Sequence, residues 1–274
     1  MCLEVKMSSV THRIKNEIKQ PRGGYIGPTK FTVVDLQDGK QLHEGENVYG
    51  SLVGSAVDYL TRVDLGAPAE EAFRVSLAGS AMVNAVNMAF ELLRDIDDWV
   101  FIKRTDDDAE EIKTALEKAI IAACKLSGFD VCVRSSPVGY RPVENINPDE
   151  NTIENIKIML ERTKSFFQKY GPITLQGFNF EGGYTDLITS GDGDFLTEDT
   201  LWDFKVLQKK PTNKETLQLL VYYLMGKHSV HPEFQTIEKL GLFNPRHNKV
   251  YLLNVSDIPD ETLKAVSRDI IGYM

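Results

Sequence analysis

The stretch Gly191-Asp-Gly-Asp-Phe-Leu-Thr-Glu-Asp-Thr-Leu-Trp-Asp-Phe-Lys205 decides how this chain is read. Phe195 and Leu196 end one apolar run, and Leu201, Trp202, Phe204 and Val206 make the next. Thr197-Glu-Asp-Thr200 between them is turn material, so the pattern predicts two strands joined as a hairpin. Folding back at that turn brings Asp194 beside Asp203. Lys205, two residues past Asp203, faces the same way on a strand. Two carboxylates offer the oxygen ligands that a hard divalent ion such as Mg²⁺ or Mn²⁺ takes, and the carbonyl of Phe204 adds another. An amine beside such an ion orients or helps deprotonate an attacking water and steadies developing negative charge. Together these groups suit the hydrolysis of a phosphodiester bond. The plainer readings are an Asp203–Lys205 surface ion pair of little energetic weight and turn residues at Asp192 and Asp194.

Downstream, Pro211 to Asn213 opens a helix expected over residues 214–226. Gln218 and Tyr222 lie one turn apart on it. A last strand is expected at 249–254 and a terminal helix at 257–273. Upstream, residues 173–180 and 187–195 alternate as strands do, and Phe31-Thr-Val-Val-Asp35 is a further short strand. Helices are expected near 47–62, over 67–96 with a bend at Gly79-Ser80, over 108–127 with a cap from residues 106–108 and a stop at Gly128, and over 152–170. Residues 99–102 read as a strand or connector, 129–133 as a strand, and 138–150 as a loop. Pro21-Arg-Gly-Gly-Tyr25 reads as a turn or a substrate loop. The fold class is therefore α/β, with a mainly helical N-terminal elaboration. Residues 1–170 form the helical region and contribute one core helix, near 47–62. Residues 171–274 form the core.

A hydrophobic share of 42% over 274 residues is enough for a substantial core, and a charged share of 26% fits a soluble chain. The net charge of −9 at first disfavours a polyanionic partner. The charge is uneven, however. Residues 203–250 carry eight Lys or Arg against four Asp or Glu, whereas residues 94–111 hold eight acids. The three cysteines, Cys2, Cys124 and Cys132, make no disulfide framework and are too few for an iron–sulfur cluster. Cys124 sits in an apolar helical stretch, as core filler does. The N-terminal residues have no long apolar run, so no signal peptide is expected, and no window is apolar enough to span a membrane. The expected location is the cytoplasm. There is no phosphate-binding P-loop, no G-x-S-x-G, no H-E-x-x-H, no zinc spacing of histidines, and no complete calcium loop after Asp192.

Asp194, then Asp203-Phe-Lys205, then Gln218-Leu-Leu-Val-Tyr222 resemble the motifs of the PD-(D/E)XK nuclease superfamily in its RecB-like exonuclease branch. That branch orders an upstream G-x-x-x-H on a helix, an Asp, a D/E-x-K and a Q-x-x-x-Y. Here Gly54-Ser-Ala-Val-Asp58 stands in the helix slot, with Asp58 in place of His. Leu242-Phe-Asn-Pro-Arg246 is similar to bacterial and phage-borne proteins of this kind. The resemblance covers residues 54–58 and 178–222. It implies a restriction-endonuclease-like core, a mixed central sheet flanked by helices, and a deoxyribonuclease in a phage, repair or defence setting, with DNA as substrate. It further implies Mg²⁺ or Mn²⁺ on Asp194, Asp203 and Asp58, with Lys205, Gln218 and Tyr222 completing the catalytic group and the helical half forming a wall or clamp. A catalytically inactive nucleic-acid-binding or assembly protein on the same fold is the alternative. A partner-binding α/β protein with a fortuitous hairpin is a second.

Overall fold

A computed structural model describes residues 8–274 of the chain. In chain order its elements are α1 (Val10–His12), β1 (Thr32–Asp35), α2 (Gly50–Asp64), α3 (Ala69–Ala72), α4 (Arg74–Met82), α5 (Val86–Thr105), α6 (Ala109–Ser127), α7 (Asp130–Arg134), α8 (Glu150–Tyr170), β2 (Leu175–Asn179), β3 (Asp192–Leu196), β4 (Thr200–Phe204), α9 (Asn213–Lys227), β5 (Lys239–Asn244), β6 (Lys249–Asn254) and α10 (Asp260–Ala265). The chain forms two compact units, one of Met1–Asp38 with Lys164–Met274 and one of Gly39–Thr163. Cys2 and the first residues, over which no signal peptide is expected, lie outside the described residues.

The first unit is built on a six-stranded mixed sheet in the order β1-β6-β5-β4-β3-β2. Only β4 and β5 run parallel; the other neighbours are antiparallel. β4 is the hinge of the design, because all five of its residues are buried. A strand covered on both faces reads as a mainly apolar run rather than an alternating one, as Leu201, Trp202 and Phe204 do here, with Asp203 the buried charged exception. On one face Leu196, Leu201, Leu240 and Leu242 pack with Leu217, Leu220 and Val221 of α9 and with Val266 and Ile270 at the C-terminal end. On the other face Phe166 of α8 stacks on Phe243 at 4.2 Å and meets Trp202 edge-on at 4.8 Å. Helices therefore cover both faces of the sheet.

Several elements differ from the sequence reading. β5 was not expected as a strand, since Gly241 and the Asn244-Pro245 pair look like breakers. Gly241 is required there: a Cβ would stand 2.3 Å from the Trp202 ring. β1 draws the N-terminal stretch into the sheet by pairing with β6, so the compact unit with the hairpin begins before residue 39 as well as after 163. β3 starts only at Asp192.

In the helical unit, the long helix expected over 67–96 is broken after Met82, where Asn84 takes a left-handed φ of 57°, rather than bent at Gly79. Residues 99–102 belong to α5, whose buried Leu93, Ile96 and Trp99 keep helical spacing. Residues 129–133, expected as a strand, lie mostly in helix α7. There Asp130 is 4% exposed and takes bonds from Tyr59 Oη (2.6 Å), Ser76 Oγ (2.7 Å) and Arg134 Nε (3.3 Å). A buried carboxylate must find such partners, and the helical turn supplies Arg134 four residues on. The cap at Asp108 is as expected, its side chain accepting from Glu110 N and Glu111 N. Cys124 is fully buried, in keeping with a packing role. Among the described residues no helix is long and apolar enough to cross a membrane.

Two measurements test this packing. Phe166→Ala is expected to cost about 3–5 kcal/mol in urea unfolding, and a loss below about 1 kcal/mol would contradict the two-sided sheet. Burial, only partly offset by its hydrogen bonds, raises the pKa of Asp130 above the ordinary 3.8. A carboxyl that holds its proton more tightly when folded favours the fold most at low pH, and that advantage fades as pH rises through the raised value. The stability of Asp130→Asn relative to wild type is therefore expected to improve as pH climbs from about 4 towards neutrality, read as melting temperatures across that range.

Candidate functional site

The hairpin is where the sequence places it. Phe195 pairs with Trp202 and Leu196 with Leu201. Continuing that register by one residue sets Asp194 opposite Asp203. The Asp194 side chain reaches across, and its Oδ2 accepts from Phe204 N at 2.8 Å. Lys205 extends the strand, its N–H donating to Phe243 O at 3.0 Å as the parallel ladder with β5 continues. Its ammonium returns to Asp203, with Nζ 3.0 Å from Oδ1. Trp202 and Phe204 point to the α8 face, so alternation sends Leu201, Asp203 and Lys205 to the α9 face.

α9 meets them from that side. Its first turn is fixed by a capping box, in which Thr212 N donates to Glu215 Oε2 at 2.7 Å while Lys214 N donates to Thr212 Oγ1 at 3.3 Å. One turn further on, Gln218 Nε2 donates to Tyr222 Oη at 2.7 Å. The expected pair is thus a bonded pair. Gln218 also reaches Thr11 Oγ1 at 3.4 Å. Thr11 was not foreseen. It belongs to α1, 207 residues away in sequence, and no motif marks it.

The electrostatics tie these residues into one neighbourhood. Burial opposes the Lys205 charge, but Asp203, then Asp194, then Tyr222 outweigh it and raise the Lys205 pKa. Lys205 is accordingly an ammonium. Its side chain keeps 26% of its surface open, whereas Asp203 is 1% exposed. Burial also raises the Tyr222 pKa, against the pull of Lys205 and with the repulsion of Asp203 and Asp194, so the phenol is neutral. It accepts from Gln218 and has its own proton to donate.

No family model, curated protein or solved structure matches the chain. The chemistry of the site therefore rests on its own geometry. Asp194, Asp203, Lys205, Gln218 and Tyr222 come together in the sheet unit. Asp58 lies on α2 in the helical unit, where Arg62 Nε and Nη2 hold its two oxygens at 3.1 Å each. Asp192 is exposed at the start of β3, and Glu181 is exposed in the turn after β2. His247 Nε2 lies 3.0 Å from Gln208 O, and Asn244 Nδ2 donates to Leu207 O at 2.9 Å. These two fasten the loop that follows Lys205. Asn244 is fully buried, and the reading of the sequence passed over it because β5 went unseen. Among the described residues no group of three or more His, Cys, Asp or Glu side chains is arranged to hold a metal ion.

Removing the cation nearest a buried carboxylate costs more than deleting the pair. Lys205→Met is expected to lose about 3 kcal/mol, the low end for a buried pair because Lys205 is partly open. Combining it with Asp203→Asn is expected to recover at least half of that. Additive losses in this double-mutant cycle would show that the 3.0 Å contact carries no coupling.

Proposed function

We propose that this site hydrolyses phosphodiester bonds in DNA, on a restriction-endonuclease-like core of the PD-(D/E)XK kind. The observation that carries the reading is the convergence of Asp194, Asp203 and Lys205 from adjacent strands beneath the Gln218–Tyr222 pair of α9. The mixed sheet with helices on both faces and the order of the motif residues support it.

The donor set fits a Mg²⁺ or Mn²⁺ ion. Asp194 and Asp203 offer carboxylate oxygens, and Mg²⁺ is commonly held by one or two carboxylates with water and substrate phosphate filling its shell. Two acids therefore suffice where, among the described residues, no larger group of possible ligands is found. When bound, such an ion supplies Lewis acidity and a more acidic water. The protein's own groups do the rest. Asp203 holds the Lys205 ammonium at the end of β4. As a cation Lys205 donates to a phosphate oxygen or to the attacking water and offsets the charge that gathers on the phosphorane. Beside the ion, Lys205 would also orient the attacking water. Gln218 fixes the Tyr222 hydroxyl as an acceptor, which turns the phenol proton towards a substrate oxygen.

A second reading has an observation of its own. The Asp203–Lys205 contact is already self-neutralising, and an inactive nucleic-acid-binding or assembly protein on the same fold would keep it for stability. Cleavage decides between the two. Full-length protein is expected to cut plasmid or linear single-stranded DNA only when Mg²⁺ or Mn²⁺ is added. Lys205→Ala and Asp203→Asn, checked for folding by circular dichroism, are each expected to lower the rate by about 10²-fold or more, the scale of one transition-state donor. Wild type that binds DNA without cutting it, and Lys205→Ala behaving identically, would establish the inactive alternative.

A further inference from the structure

The Pro21-Arg-Gly-Gly-Tyr25 loop has no part in the site described above, yet it is anchored to the helix that serves that site. Gly24 N donates to Pro21 O at 2.9 Å and closes the turn. Gln20 Nε2 donates to Asn213 O at 2.9 Å, and Thr216 Oγ1 donates to Ile26 O at 2.5 Å, so the segment is bonded to the first turn of α9 on both sides of the glycines. Gly23 and Gly24 take φ of +89° and +78°, and a Cβ on Gly24 would stand 2.6 Å from Asn213 Cγ. Gly24 thus serves a close approach of backbone to helix, and Gly23 supplies the left-handed turn before it.

The loop borders a cavity of about 250 Å³ with Arg22 and Lys30 at its rim, Leu253 and Ile258 as apolar lining, and Asp257 as its one carboxylate. Asn254 Nδ2 donates to Asp257 Oδ2 at 2.9 Å. Arg22 and Lys30 are exposed and make no ion pair among the described residues. Around them the chain is basic: residues 12–30 hold Arg13, Lys15, Lys19, Arg22 and Lys30 against Glu17 alone, in a protein of net charge −9. Exposed cations without acidic partners, beside a backbone free of side chains, present the chemistry that receives phosphate oxygens. The cavity lies below the roughly 300–1,000 Å³ of clefts that engulf a free small molecule, which suits a grip on one segment of a longer chain.

We propose that this loop, with Arg22 and Lys30, binds the phosphate backbone of a polynucleotide and leads it along α9 to the Asp203–Lys205 site. The proposal rests on the phosphodiesterase reading for its direction, but not for its test. Gln218 lies five residues past Asn213, about 7.5 Å along the helix axis at 1.5 Å per residue.

The experiment is fluorescence anisotropy of a labelled single-stranded oligonucleotide with full-length protein in EDTA, where no cleavage occurs, over a salt series. Arg22→Ala/Lys30→Ala is expected to weaken binding at least tenfold and to shallow the log-affinity against log-salt slope by about 1.4, since each lost phosphate contact on a single strand is worth about 0.7. Lys113→Ala/Lys118→Ala on α6 removes the same charge and is expected to bind as wild type does. Inorganic phosphate at matched ionic strength is expected to leave the complex intact. The proposal is overturned if wild type binds no oligonucleotide, if the loop variant binds like wild type, if the α6 variant loses as much, or if inorganic phosphate displaces the strand and so marks a small-anion site. If no divalent ion ever elicits cleavage while the loop variant still shows the weaker, shallower binding, the loop proposal stands and the hydrolytic reading falls. If Lys205→Ala abolishes cleavage while the loop variant binds and cuts normally, the reverse holds.

Discussion

A carboxylate that is 1% exposed sits at the end of a fully buried strand with an ammonium 3.0 Å away, and much of the sheet unit is arranged around that contact. Burying Asp203 in apolar surroundings is costly unless opposite charge and hydrogen bonds are fixed beside it. Fixing them takes rigid elements on every side. β3 brings Asp194 across the hairpin, β5 continues the ladder to the backbone of Lys205, and α9 closes the face with Gln218 and Tyr222. The aromatic packing of Phe166, Trp202 and Phe243 on the opposite face keeps β4 from shifting.

That economy explains why charge is kept where a leucine would pack more cheaply. Lys205 keeps 26% of its side chain open beside an Asp203 that is 1% exposed. The same α9 that presents Gln218 and Tyr222 carries the glycine loop on its first turn. One rigid helix therefore sets the spacing between the acid–lysine site and the unpaired cations of the N-terminal segment. Thr11 contributes from that segment as well, through its contact with Gln218.

The site was more legible than the fold around it. Asp194, Asp203 and Lys205 could be placed because strand alternation and a short turn are local rules, and Gln218 and Tyr222 because one helical turn separates them. Asp58 was read from a motif slot; the structure puts it on α2 in a part-buried pair with Arg62, four residues on. Thr11 and Asn244 were missed for a different reason. Each acts through a partner distant in sequence, and neither residue type announces a role. Residues 99–102 and 129–133 were misread because a short apolar run has the same composition in a strand and in a buried helix. Flanking periodicity decides the first, and the demands of buried Asp130 decide the second.

By itself the sequence determined the hairpin, the α9 pair and the capped amphipathic helix α6. Each depends on neighbours within a few residues, where propensity, capping and side-chain period act directly. Tertiary structure alone decided that β5 is a strand parallel to β4, that β1 closes the far edge of the sheet against β6, and that the chain divides at residues 39 and 164. Those outcomes are set by contacts between segments far apart along the chain. A glycine such as Gly241 reads as a breaker until the Trp202 ring that needs its space is in place.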